Sequence, residues 1–192
     1  MFDGATAFAG NISSWNTSSA TTTALMFQNA PAFNSDISGW NVSSVDDMRN
    51  MFYGATSFDR PLNSWNVSKV KDMRNMFFRA TSFNQNLNSW DTLAVTDMGN
   101  MFQEATSFNG DVNNWNTSNV TAMPNVFYKA SAFNKPLNNW KTAKVKNMDN
   151  MFQFATIFNQ NISGWNVAAV TDAENFADSS ALTTVNKPTF SF

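Results

Sequence analysis

Large apolar side chains return along this chain on one period of 25 residues, without insertion or deletion. Within one period two different patterns follow each other. Leu62, Trp65, Val67 and Val70 form the first, and its centre, Trp65-Asn66-Val67, alternates large apolar, polar and β-branched. That alternation predicts a short strand with one buried face. Met73, Met76, Phe77 and Ala80 form the second, spaced i, i+3, i+4, i+7, which predicts one face of a short helix. Asp72 stands where a carboxylate can cap the free N–H groups of a first turn. Gly4, Gly54 and Pro31, near the equivalent end in other periods, suit a helix that stops there. Phe83 and Asn84 then begin a return loop towards the next strand.

The register is strict. Units begin at Met1, Met26, Met51, Met76, Met101, Val126 and Met151, with a degenerate eighth at Phe176. All seven tryptophans occupy one position: Trp15, Trp40, Trp65, Trp90, Trp115, Trp140 and Trp165. Fourteen of the nineteen phenylalanines occupy two more, the series that start at Phe2 and Phe8. All eleven methionines fall at another two. No single strand or helix of this size could hide its apolar face alone, whereas stacked units bury a continuous core. The expected fold class is therefore α/β: a solenoid of about seven units, with a short parallel sheet on one side and short helices on the other. The repeat is placed at residues 1–175 and a capping segment at residues 176–192.

Composition removes chemistry more than it adds any. There is no cysteine and no histidine, so disulfides, thiolates, imidazole bases and the commonest metal ligand are all missing. No nucleotide-binding glycine motif occurs, and Asp46-Asp47 reads as a cap rather than a metal site. Catalytic, metal and cofactor residues are each expected to be none. A net charge of −2 with scattered cations gives no reason to expect nucleic acid. No apolar run approaches the ~18 residues of a membrane span, so membrane insertion is not expected. The start, MFDGATAFAG, lacks the basic and apolar parts of a signal peptide, so an export signal would lie outside this chain.

The pattern L-x-x-W-x-V-x-x-V resembles a leucine-rich repeat, whose units run ~20–29 residues. Joined to V-x-x-M-x-x-M-F-x-x-A-x-x-F-N, as in LNSWNVSKVKDMRNMFFRATSFN over residues 62–84, it resembles the BspA-like leucine-rich-repeat surface proteins. The resemblance covers about residues 1–176. It implies a right-handed α/β solenoid, an extracellular or cell-surface setting, and adhesion or host and matrix interaction. The usual Asn or Cys after the strand is replaced by the valine series from Val45 to Val170. A separate series, Asn50, Asn75, Asn100, Asn125, Asn150 and Asn175, is assigned to satisfying turn backbone groups.

With Trp and Val inward, the residue between them faces out. That column is Asn16, Asn41, Asn66, Asp91, Asn116, Lys141 and Asn166. Seven strands at ~4.8 Å spacing would make a polar face about 30 Å long. Ser64, Ser89 and Asn114 flank it on one side and Leu93 and Lys144 on the other. These residues form the candidate interaction face, for an extracellular protein or glycan. A passive spacer in a larger surface protein is the bland alternative, and a binder of ice or crystalline polysaccharide a third. The repeated N-x-S/T sequons, at Asn41 and Asn66 for example, follow from the unit itself. At the C-terminal end Leu182, Val185, Phe190 and Phe192 are expected to fold over the last unit. An open end would allow end-to-end self-association.

Overall fold

The computed structural model describes residues 1–191, and in it the chain winds as a stack of 25-residue coils, each laid on the one before. Among the described residues there is no helix and no extended strand. The expected α/β class, with helices on one side and a sheet on the other, is therefore corrected. Phe192 lies outside the described residues, and with it one of the proposed capping side chains.

The predicted helix is a run of tight turns. Met76, Phe78 and Ala80 donate their N–H groups three residues back, to Met73, Asn75 and Phe77, at 3.0–3.2 Å. The intervening N–H groups of Met73, Asn75, Phe77 and Arg79 leave the coil. They donate to Asp97, Gly99, Met101 and Gln103 of the next coil at 2.8–3.1 Å. A helix sends every N–H four residues back and keeps every φ right-handed. Here Asn75 and Arg79 both sit at φ +55°, which ends any helical path at once. Positive φ at the third residue of a four-residue turn is the type II geometry. The apolar spacing was nevertheless a true report of direction: Met73, Met76, Phe77 and Ala80 are all fully buried.

The predicted strand fares similarly. Trp65 and Val70 close turns back onto Leu62 and Val67, at 3.0 and 2.9 Å, so Trp65-Asn66-Val67 is a link between two turns. Backbone pairing between coils narrows to single parallel bridges, from Thr22 through Asp47, Asp72, Asp97, Ala122 and Asn147 to Asp172. Elsewhere on this side, side chains join the coils. Each indole from Trp40 to Trp165 donates Nε1–H to a backbone carbonyl of the preceding coil, as Trp90 does to Leu62 at 2.9 Å. Thr92, Thr117 and Thr142, buried in the place of the valines of other coils, donate to carbonyls of the following coil at 2.9–3.1 Å.

The core is a set of aromatic columns. Within a coil the two phenylalanines stack face to face, with centroids 3.7–4.1 Å apart. From coil to coil they repeat at 5.4–5.9 Å. Fully burying one such ring is worth about 1.5–3 kcal/mol, and a stacked pair roughly 0.5–1.5 kcal/mol more. The tryptophan column therefore packs and also carries one hydrogen bond per coil, which pairs a carbonyl that would otherwise be buried without a second partner.

The two ends differ. Phe190 packs edge-on against Phe176 at 5.1 Å, Leu182 lies against the core, and Asn186 Nδ2 bonds the carbonyl of Asn159 at 3.0 Å. Val185, however, is 78% exposed and takes no part in covering the last coil. At the other end Trp15 is 41% exposed, since no coil precedes it in the structure.

Candidate functional site

Asn16, Asn41, Asn66, Asp91, Asn116, Lys141 and Asn166 all lie exposed, one per coil, along the side of the stack where the tryptophans turn inward. Most of them have a local task. The Oδ1 of Asn66 accepts from the Ser68 N–H at 3.1 Å and from the Ser68 hydroxyl at 2.7 Å. Asn16 and Asn41 hold Ser18 and Ser43 the same way. Asp91, Asn116 and Asn166 accept from the N–H two residues on at 3.1–3.2 Å. A short side-chain acceptor that holds the N–H two residues ahead starts a turn, and Asn and Asp are suited to it. The column of asparagines is explained by the turn that follows it.

Lys141 has no side-chain acceptor and cannot make that turn bond; its own N–H is held by the Thr117 hydroxyl at 2.7 Å instead. Leu93 stands 47% exposed in a column that carries Ser18, Ser43, Ser68 and Ser118 in other coils. Lys144 extends its Nζ to Asn119 Oδ1 at 2.8 Å. Of the flanking residues, Ser64 bonds the Ser38 carbonyl at 3.0 Å, Ser89 the Asn63 carbonyl, and the Asn114 N–H is held by Asn88 Oδ1 at 2.7 Å. The structure thus places the twelve candidate residues on one side, and separates those that build turns from Leu93, Lys141 and Lys144, which no turn requires.

Two further polar columns hold the coils together. Asn75, Asn100 and Asn125 each donate Nδ2–H to the Oδ1 of the asparagine one coil earlier, at 2.8–3.1 Å. This is the series the sequence assigned to turn backbone; its side chains bond to one another, and its own backbone occupies the left-handed region, at φ 51–59°. In the second column, Asn34, Asp59, Asn84, Asn109 and Asn134 accept from the backbone N–H of the coil that follows, at 2.8–3.1 Å. Nothing in the apolar pattern signals it; the recurrence of Asn after the second Phe of each unit was the available clue.

A third column stacks Asp47, Asp72 and Asp97 along the line of bridges. Each accepts from the N–H two residues on, and Arg74 lies 2.6 Å from Asp72 and 3.6 Å from Asp97. Burial pushes the Asp72 carboxyl up, but the hydrogen bonds and charge of Arg74 outweigh it and leave the pKa below its ordinary value. Burial dominates at Asp97 and raises its pKa. Among the described residues no group of three or more His, Cys, Asp or Glu is arranged to hold a metal. The described surface carries no cleft that would enclose a small molecule. No helix among these residues is long and apolar enough to cross a membrane.

The geometry defines a repeat protein: identical coils in register, aromatic columns within, polar ladders without. Its family follows from the sequence of those coils. The chain belongs to the family described as Mycoplasma protein of unknown function, DUF285, whose family model matches residues 1–90 and again residues 72–188. No curated protein and no solved structure matches it.

Proposed function

We propose that this chain is a non-enzymatic interaction module of the BspA-like kind, secreted or displayed at a cell surface, and that it binds protein or glycan through the side that carries the Asn66 column. One observation carries the reading. On a surface otherwise explained by turn formation, Leu93 and Lys141 stand where other coils carry the Ser and Asn that bond across the turn, and with Lys144 beside them they lie within three consecutive coils. Exposed departures of this sort cost nothing to a spacer if they are random, but a binder needs them to be clustered, flat and accessible. The long polar face, where every indole but that of Trp15 is buried, suits contact over an extended area rather than capture in a pocket.

The test is adhesion of the purified chain to a panel of matrix proteins, glycans and cells, beside a variant with Leu93→Ser and Lys141→Asn. Both replacements are residues that other coils carry at the same place, so the fold is expected to survive, as circular dichroism would verify. Loss of adhesion in the variant supports the module. Equal adhesion by both would put the binding surface elsewhere and overturn the assignment to this side; adhesion by neither would leave a passive spacer as the function.

A further inference from the structure

Charge is distributed unevenly among the coils. Residues 126–150 carry Lys129, Lys135, Lys141, Lys144 and Lys146 against a single acid, Asp149, which is five less one, or +4. The coils on either side carry no cation at all: residues 101–125 hold Glu104 and Asp111, and residues 151–175 hold Asp172 and Glu174. Three of the five lysines fall in the stretch KTAKVK, residues 141–146, with Thr142 and Val145 turned into the core and Lys141, Lys144 and Lys146 left exposed. Lys69 and Lys71, also exposed, occupy the columns of Lys144 and Lys146 three coils earlier, roughly 14 Å along the stack at the ordinary strand spacing. Lys71 faces Asp46 at 3.8 Å; among the described residues none of the other four is paired with a carboxylate.

We infer that this lysine face binds an anionic linear polysaccharide, sulfated or carboxylated, lying along the stack. The inference rests on the proposed function and names the ligand class for that same side. Three properties of the face select such a ligand. Its positive charge is local, on a molecule whose net charge is −2, so attraction is confined to this side. Its remaining groups are mostly amides and hydroxyls, among them Asn114, Asn116 and Ser118, which suit a hydrated polymer; Leu93 and one carboxylate, Asp91, lie in a coil between the two lysine clusters. From Lys69 to Lys146 the columns of Asn66, Lys69 and Lys71 hold no Trp, Tyr or Arg, the usual anchors of protein partners, and the indoles of those coils are buried, which leaves no ring there on which a nucleic-acid base could stack.

The decisive comparison uses the whole chain with heparin and dextran sulfate as probes, and with neutral dextran and a single-stranded oligonucleotide beside them. The face variant is Lys141→Asn, Lys144→Ser and Lys146→Thr, each the residue of another coil at that place (Asn116, Ser44 and Thr121). A control variant, Lys129→Gly and Lys135→Gln, removes charge elsewhere on the same coil. Expected are binding of the sulfated polymers that weakens with salt, a loss of at least about tenfold in the face variant, and a change within about twofold in the control. Equal losses in both variants would show a general charge effect and overturn the assignment. So would oligonucleotide binding as tight as heparin binding. If neither sulfated polymer binds while adhesion to the wider panel still depends on Leu93 and Lys141, the ligand class fails and the interaction module stands. If that adhesion is absent as well, both fail.

Discussion

Each coil turns through two left-handed residues four positions apart, and the repeats of this chain fill them differently. The first is Asn50, Asn75, Asn100, Asn125, Asn150 and Asn175, departing from asparagine only at Leu25. The second is Gly4, Asn29, Gly54, Arg79, Glu104, Lys129, Phe154 and Ser179, with almost no rule. Both demand the same backbone, with φ between 51° and 70°. The difference lies in what the side chain meets. At the first corner it is part-buried and bonded to the coil before and after. At the second it points outward, to Glu104 in the case of Arg79 or over the Tyr128 ring in the case of Lys129. Backbone strain alone does not fix a residue; strain joined to a repeated hydrogen bond does.

The comparison breaks most visibly at the first corner. Asn100→Ala gives up the tolerance of Asn for positive φ and both ladder bonds, from Asn125 and to Asn75. The expected loss is about 2–3 kcal/mol, from up to about 1 for the lost tolerance of Asn for the left-handed region and about 1 for each bond. Asn100→Gly should recover the backbone part and leave about 2 kcal/mol, the two ladder bonds. Denaturant unfolding of the two variants separates strain from the ladder, and equal losses would mean that the ladder alone matters.

At the second corner the sign should reverse. Phe154 is a bulky ring at φ +61° and 37% exposed, against a position where glycine occurs twice. Phe154→Gly removes the strain at the cost of an edge contact with Tyr128 at 5.8 Å and of the Lys129 ammonium 5.9 Å over its ring, and is expected to stabilise by up to about 0.5 kcal/mol. The reverse change, Gly54→Ala, puts a Cβ at φ +66° and 2.8 Å from Asn29 Oδ1, and should lower stability in the same assay.

The smallest effect sharpens the entry to the first corner, where Asp72 and Asp97 hold the same turn with opposite shifts. The raised pKa of Asp97 means that its ionised form is disfavoured in the folded state, so its cost is absent in acid and grows as pH rises through the carboxylate range. Asp97→Asn keeps the acceptor for the Gly99 N–H, as Asn147 does for Asp149 at 3.0 Å. It should therefore be slightly more stable than the wild type at neutral pH and indistinguishable at low pH. Asp72→Asn should do the opposite. The lowered pKa of Asp72 stabilises the fold above its ordinary value, and that contribution disappears as pH falls through the lowered one. Melting temperatures measured across that range check both signs.

The amino-acid sequence by itself determined the period, the register and which side chains point inward. The burial of Trp65, Met76, Phe77 and Phe83 follows from apolar spacing whatever the backbone does. It also placed Asn66, Asp91 and Lys141 on the surface, since they alternate with buried neighbours. What it did not determine was the path between those side chains. The spacing Met73, Met76, Phe77, Ala80 is shared by a helix and by a run of overlapping turns, the first and last of type II, because both return a side chain to one face after three and four residues. The choice between them is made by where the N–H groups of Met73, Asn75, Phe77 and Arg79 find carbonyls. Those carbonyls lie 24 residues away, on a neighbouring coil that exists only once the stack has formed. The same holds for the tryptophans: their burial was legible from the period, but the bond from Trp90 to the Leu62 carbonyl belongs to two coils at once, and only the tertiary structure brings them together.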